Sequence, residues 1–164
     1  MSLRQTTTET KAGPLIAAAT LIGIGMGGFV DGIVLHQILQ WHQMLTAKIP
    51  PTTVLNKEVN MFWDGIFHAF TWLTTAAGIL LLWRQFYNRQ IVLSNRIFGG
   101  SLLFGWGLFN VAEGIIDHHV LKLHNVREIS TNPSAWNYGF LILSVLLLLG
   151  GWLLIQNGRR RHRS

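Results

Sequence analysis

The same twelve-residue motif occurs twice in the chain, with an acidic residue at its first position and histidines at its sixth and twelfth. It runs from Asp31 to His42 and again, 82 positions later, from Glu113 to His124. Histidine together with carboxylate is a common ligand set for transition-metal ions. A repeat at a fixed offset indicates that a structural unit has been duplicated. The repeated motif therefore predicts both an internal duplication and a candidate metal site.

The composition is that of a small integral membrane protein. The chain has 164 residues, of which 49% are hydrophobic and only 12% charged, which is too little charge for an ordinary soluble domain. Four apolar stretches are long enough to cross a bilayer as helices. We expect a single membrane domain over 1–164, with spans at about 14–39, 60–83, 97–120 and 135–156 and a cytoplasmic tail at 157–164.

The predicted fold class is an all-α integral membrane protein, a bundle of four transmembrane helices built from two duplicated helical hairpins. The first hairpin carries the first copy of the motif, and the second hairpin carries the second copy. A weaker match pairs Trp63-Asp64 with Trp136-Asn137 in the second helix of each hairpin.

The distribution of basic residues predicts the orientation. With four spans, one side holds nine Lys and Arg residues and the other holds four: Arg4, Lys11, Arg84, Arg89, Arg96, Arg159, Arg160, Arg161 and Arg163 against Lys48, Lys57, Lys122 and Arg127. The positive-inside rule then places both termini in the cytoplasm of a multi-pass inner (cell) membrane protein. The net charge of +6 comes with no nucleic-acid motif, so the expected environment is the lipid bilayer and no nucleic acid is expected as a partner.

This orientation brings most of the ionisable residues to one level, the extracytoplasmic half of the bundle. An ionised side chain near the bilayer centre costs about 2.5–3.5 kcal/mol, so such residues are normally paired, hydrated or bound to something. The candidate metal ligands in this layer are Asp31, His36, His42, Asp64, His68, Glu113, Asp117, His118, His119 and His124.

Ideal α-helical geometry divides the ligands between faces. At 100° per residue, Asp31 and His42 share one face, while His36 lies on the stripe of Gly25 and Gly32. The second copy repeats this, which predicts that the first and third spans pack along these glycines, with His36 meeting His118. Asp31 and His42 would lie about 16 Å apart along one ideal helix, so either two sites exist or the helix ends near His36 and the chain turns back.

The motifs also carry a resemblance to a known family. The chain resembles a bacterial family of predicted four-span membrane proteins that is catalogued as a domain of unknown function, through Asp31-Gly32-Ile33, His36-Gln37, Asp64-Gly65-Ile66-Phe67-His68 and Glu113-Gly114-Ile115-Ile116-Asp117-His118-His119. The resemblance covers nearly the whole chain and implies the four-helix architecture. It implies no established activity.

The leading hypothesis is a membrane-embedded metal-binding protein that serves redox chemistry or metal handling. Copper or zinc is favoured and a dinuclear iron site is the less favoured choice; the absence of cysteine excludes thiolate ligands. Asp64 with His68, and Glu113 with Asp117, form pairs at i, i+4 that each suit one ion.

The sequence is compatible with three alternative functions. The first is a haem b electron carrier with His36 and His118 as axial ligands, and the second is a structural or interaction membrane protein with a buried polar network. The third, a proton pathway, is disfavoured because few polar residues continue inward. Whether the protein is an enzyme is open, and a homo-oligomer or another membrane protein is a possible partner.

Overall fold

In the computed structural model, which describes residues 12–88 and 93–163, the chain folds into four α-helices, with no strand among the described residues. The helices are α1 (Gly13–Phe29), α2 (Val54–Tyr87), α3 (Asn95–Glu113) and α4 (Pro133–Arg163). Two π-helical segments, π1 (Val30–Ile38) and π2 (Gly114–Val120), continue α1 and α3 directly. Arg4, Lys11 and Arg89, which contribute to the predicted orientation, lie outside the described residues.

The helices begin where the sequence supplies caps. Thr53 accepts a hydrogen bond from the backbone N–H of Asn56, and Ser94 accepts one from that of Ile97, while Pro14 occupies the first turn of α1. The two side chains each satisfy a backbone N–H that lacks an intrahelical partner, and proline has no N–H to satisfy at its position. Within the described residues, three helical stretches are long and apolar enough to cross a membrane: Gly13–Ile38, Val54–Tyr87 and Pro133–Arg161.

The interior of the fold is polar and its exterior apolar. The largest fully buried side chains include His36, His124, Asn60 and Asp64, whereas Phe70, Leu80 and Leu146 are exposed. This inverts the usual arrangement of a water-soluble protein. It suits lipid, which solvates apolar side chains and cannot solvate charged ones.

Glycine brings α1 and α3 into backbone contact. A Cβ at Gly23 would overlap the carbonyl of Leu102, and a Cβ at Gly105 would overlap the carbonyl of Thr20. The predicted packing of these two helices along glycines is therefore present, but the predicted stripe was wrong. Gly25 and Gly32 instead face α2, because α1 needs small residues towards two neighbours.

Similar contacts occur between α1 and α2 and between α3 and α4. Gly25 packs against Thr71 and Thr75 of α2, and Gly107, 82 positions after Gly25, packs against Ser144 and Leu148 of α4. The latter two residues follow Thr71 and Thr75 by 73 positions each, which is the offset between Asp64 and Asn137. The helices of each pair thus approach at equivalent points.

Loops 39–53 and 121–132 pair with each other; we call them the outer loops because the orientation predicted from the sequence places them on the extracytoplasmic side. The N–H of Ala47 donates to the carbonyl of Leu123 at 2.9 Å, and the N–H of Glu128 donates to the carbonyl of Trp41 at 3.1 Å. The Asn60 amide anchors the first loop to α2, since it donates to the Ile49 carbonyl and accepts from the Leu45 N–H. The loops therefore form a joined cap over one end of the bundle.

Gly105→Ala should destabilise the fold strongly. Its Cβ meets the backbone of Thr20, which cannot yield without moving α1, so we expect a loss of about 1–3 kcal/mol or more. Thermal unfolding in detergent, followed by circular dichroism, measures the effect. Gly99→Ala is the matched control on the same helix because its Cβ meets nothing within 4 Å; equal stability of the two variants would contradict the predicted backbone contact.

Candidate metal centre

Six of the predicted ligands converge in one buried cluster where the π segments meet the outer loops. They form three pairs related by the 82-residue offset: Asp31 with Glu113, His36 with His118, and His42 with His124. Each residue is at most 6% exposed. Three overlapping groups of these residues place their ligand atoms within 4.8 Å of one another: His36, His42 and His124; Glu113, His118 and His124; and Asp31, His42 and Glu113.

Each half of the cluster contains two histidines around one carboxylate. In the first half, His36 Nε2 lies 2.9 Å from Asp31 Oδ2 and His42 Nε2 lies 3.7 Å from Asp31 Oδ1. In the second half, the Nε2 atoms of His118 and His124 lie 3.8 and 3.7 Å from Glu113 Oε1. Two ligands of one ion, each about 2.0–2.2 Å from it, are separated by roughly 3–3.5 Å. The second half, in which both histidines approach one oxygen of Glu113, is therefore close to the spacing of a coordination shell. In the first half the two histidines approach different oxygens of Asp31.

The π segments explain why Asp31 and His36 meet. An α-helix would separate them around its axis, and the prediction that they occupy different faces was wrong for this reason. In a π-helix, hydrogen bonds join residues five apart, so residues i and i+5 stack. The Leu39 N–H donates to the Val34 carbonyl at 2.8 Å and the Leu121 N–H donates to the Ile116 carbonyl at 2.7 Å. The same geometry brings Glu113 to His118.

The outer loops then return His42 and His124 to the cluster. Of the two arrangements open from the sequence, the chain adopts the second, because π1 ends at Ile38 and the backbone turns back. Gln40 and Lys122 make this turn at equivalent positions, with φ of 50° and 51°. These left-handed conformations are uncommon for residues other than glycine, and they occur next to the cluster in both halves.

A reciprocal pair of hydrogen bonds orients the two loop histidines. His42 Nδ1–H donates to the Val126 carbonyl at 2.8 Å, and His124 Nδ1–H donates to the Met44 carbonyl at 3.0 Å. Each bond selects the tautomer that leaves Nε2 free to bind a metal. Burial lowers the pKa of His42 well below its usual value and also lowers the pKa of His124. Both rings are thus kept neutral, the state in which imidazole acts as a ligand.

The central ring pair is His42 with His124. Their rings stack with centroids 4.3 Å apart, and His36 and His118 flank them at 4.4 and 4.8 Å. The predicted meeting of His36 with His118 was therefore wrong, because the loops insert two further rings between them. This arrangement also disfavours a haem, since a porphyrin between His36 and His118 would have to displace the stacked pair.

Many of the polar atoms in the cluster lack a hydrogen-bond partner. Among the described residues, the buried atoms without one include Oδ1 of Asp31, Oε2 of Glu113, and the Nε2 atoms of His42, His118 and His124, whereas His36 Nε2 lies within hydrogen-bond distance of Asp31 Oδ2. A buried polar atom left unpaired costs about 1–3 kcal/mol. Two carboxylates this close also disfavour each other's ionised form unless positive charge lies between them. A metal cation would meet both requirements.

Asp64 supports the cluster from outside. Its carboxylate accepts from His36 Nδ1–H at 3.1 Å, from the Met44 N–H at 2.8 Å and from Gln37 Nε2 at 3.4 Å. It thereby orients the His36 ring and anchors the first loop, as carboxylates behind metal-bound histidines do. Asn137, the residue matched to Asp64, has a different role, because it accepts from the Val126 N–H and donates to Asn125.

The other three predicted ligands lie at the margin. His68 donates through Nδ1 to the backbone carbonyl of Asp64, its neighbour one turn earlier, and His119 does so to that of Gly114. Asp117 is half-buried and lines a separate cavity beside Glu113. The groups of residues that could hold a metal do not include Asp64, His68, Asp117 or His119.

Sequence reasoning missed the backbone groups that complete the cluster. The carbonyls of Met44 and Val126 orient the two loop histidines. Every residue has a backbone carbonyl, so the residue type does not indicate which carbonyls accept these hydrogen bonds. The only indication in the sequence is that Met44 and Val126 are also 82 positions apart.

Asp64→Leu should loosen the first outer loop. The buried Met44 N–H and the His36 ring would each lose an acceptor, at about 1–3 kcal/mol for a buried group left unpaired. Hydrogen exchange of the peptide covering 40–52 should accelerate by at least about tenfold. Asp64→Asn is the matched control, because its amide oxygen can still accept from Met44; identical exchange in Asp64→Leu and the wild type would refute the supporting role of Asp64.

Comparison with known proteins identifies the family. Residues 18–158 match the family model described as predicted membrane protein (DUF2243), and the chain belongs to this family, whose function is unknown. The predicted resemblance is thereby confirmed. Neither the curated proteins nor the solved structures contain a significant match to the chain.

Proposed function

We propose that this family member is a membrane-embedded metal-binding protein whose centre lies in the extracytoplasmic half of the bundle. One observation carries the proposal. Six buried histidine, aspartate and glutamate side chains converge, and three of their four histidine Nε2 atoms have no hydrogen-bond partner among the described residues. Such atoms in a buried site call for an explanation, and a bound ion supplies one.

The centre is proposed to hold two ions. A histidine Nε2 binds one ion at a time, so the four imidazoles divide between the halves as His36 with His42 and His118 with His124. Asp31 completes the first half and Glu113 the second, and either carboxylate can bridge. Two histidines and one carboxylate leave at least one coordination position open, as in catalytic metal sites. This is compatible with redox chemistry and with metal handling.

Copper or zinc remains the favoured metal, with a dinuclear iron centre as the alternative. The first choice rests on the four imidazoles, which suit all three metals, and on a chain without cysteine. The two carboxylates keep iron in consideration.

The proposed membrane arrangement has four spans in two duplicated hairpins, with both termini cytoplasmic. Asn95–Val120 is 26 residues long as α3 and π2 together, enough to cross the hydrocarbon core. It packs against both α1 and α4, which explains its lower apolarity, since an enclosed span needs little lipid-facing surface. The contacts repeated at offsets of 82 and 73 residues support the duplication.

The second candidate function is that of a structural membrane protein with a buried polar network and no metal. It is favoured by His36, which lies within 3.1 Å of both Asp31 and Asp64 and would form a satisfied triad if protonated. It is opposed by His118, since both of its ring nitrogens are buried without a hydrogen-bond partner.

Protein purified in mild detergent without chelator should contain two equivalents of copper, zinc or iron and no Soret band. Elemental analysis and an optical spectrum provide the measurement. His36→Ala with His42→Ala should remove one equivalent, and adding His118→Ala and His124→Ala should remove both, because each pair serves one ion.

His68→Ala is the matched control for a histidine outside the cluster and should retain both equivalents. A Soret band would favour haem. A metal-free protein that keeps near-wild-type stability when all four cluster histidines are replaced would refute the metal centre.

The topology can be tested with single cysteines because the chain has none of its own. Thr131→Cys should react with a membrane-impermeant maleimide in spheroplasts, whereas Asn95→Cys should react only after the membrane is broken. Both positions are exposed and they flank α3 and π2. Labelling of both from the same side would show that this segment does not cross.

A further inference from the structure

A cavity of about 480 Å³ opens between α1 and α4, with α3 as its floor. It exists because α1 and α4 each pack closely against α3 but have little contact with each other. Its volume is in the range of small-molecule sites, about 300–1,000 Å³. In the membrane arrangement proposed above, the cavity faces lipid in the same half of the bundle as the metal centre.

The hairpin symmetry supplies an internal comparison. A matched cavity lies between α2 and α3 over α1, and it measures about 300 Å³. The larger cavity is lined by Gly27, and the equivalent position in the smaller one holds Phe109. A cleft that merely followed from helix packing would have the same size on both sides. The difference in size comes from side chains, because Phe109 lines the smaller cavity at the position where Gly27 lines the larger one.

The open cavity also contains a polar group that its counterpart lacks. Asn110 lines it and is 5% exposed, and no hydrogen bond to its side chain occurs among the described residues. Its matched residue is Gly28, which brings no side chain. An amide carries both donors and an acceptor, so it recognises a carbonyl or a hydroxyl group. Left unpaired in an apolar cavity, it favours a ligand that carries one.

Aromatic side chains form much of the remaining wall. Trp41, Trp106, Trp136 and Phe140 line the cavity, and flat rings stack favourably on such side chains. At its outer end, Arg127 lies over the rings of Trp41 and Trp136, 5.3 Å from each centroid, and holds these two walls together. Asp31 lines the cavity and belongs to the ligand cluster, so an occupant would lie directly beside the proposed metals.

We infer that this cavity binds a lipid-soluble aromatic molecule with a carbonyl or hydroxyl group, of the chemical class of membrane quinones. Its ring lies among the tryptophans, its oxygen faces Asn110, and its apolar tail extends into lipid. The inference deepens the proposed function, because it names the class of molecule that has access to the metal centre. Binding itself requires no metal.

Gly139→Leu is the variant designed to close the cavity. Gly139 lines it, and a Cβ at this position meets nothing within 4 Å, so the added side chain fills the space without straining the fold. Gly150→Leu is the matched control on the same helix, since its Cβ is equally free and it does not line the cavity. Asn110→Leu removes the polar group and keeps a similar volume.

The full chain in phosphatidylcholine nanodiscs is titrated with decylubiquinone, and tryptophan fluorescence is recorded. We expect saturable quenching with one site per chain. Gly139→Leu should weaken binding by at least about tenfold and Asn110→Leu by about fivefold, while Gly150→Leu matches the wild type. Metal content should be unchanged in Gly139→Leu. Quinone binding by a metal-free protein would leave the inference standing and remove the proposed function.

Three results would overturn the inference. The first is quenching that rises linearly and equally in all variants, which reports only partition into the lipid. The second is saturable binding that Gly139→Leu does not affect. The third is a phospholipid retained by the wild type and lost from Gly139→Leu without saturable quinone binding, which would mean that an acyl chain occupies the cavity.

Discussion

Two carboxylates, those of Asp31 and Glu113, are buried within 4.8 Å of one another in the interior of a membrane protein. The ion pairs of these carboxylates in the described cluster are all with imidazoles, and none is with an arginine or a lysine. Such a pair requires a cation or shared protons. The π segments, the returning loops and the Asp64 support all serve to hold four imidazoles around these two groups. The metal centre that we propose resolves this constraint with the residues already in place.

The scaffold achieves this with very little hydrophobic core. In lipid, apolar side chains gain little from being buried, so helices associate through close packing and polar contacts. Gly23 and Gly105 let α1 and α3 touch backbone to backbone, and this contact fixes the distance between the two halves of the cluster. Small residues where α1 and α3 cross thus allow the helices to assemble, and the polar residues beyond that crossing form the candidate site.

The α1–α2 pair and the α3–α4 pair share their framework contacts and differ around the cluster. The framework contacts, the π segments and the left-handed turns recur at matched positions. Asp64 is matched by Asn137, and Gly27 by Phe109. One half therefore has a carboxylate behind its histidine and a cavity of about 480 Å³ beside Asp31, whereas the other half lacks that carboxylate and has a smaller cavity, about 300 Å³, beside Glu113. If the centre is catalytic, these differences assign the reacting molecule to the side of Asp31.

The helical class, the membrane setting and the six converging residues follow from local signals that the sequence carries by itself. Apolar stretches of bilayer length indicate the helices, and the repeated motif marks the six candidate ligands. Their arrangement depended on the tertiary structure. His36 joins Asp31 because π1 replaces an α-helical register, and His42 returns because carbonyls of the opposite loop hold it. Asp64 became a support for His36 because three donors already occupy its carboxylate. The sequence determines which side chains are available. Which atoms surround each side chain depends on backbone hydrogen bonds, and many of these join segments that are distant in the chain.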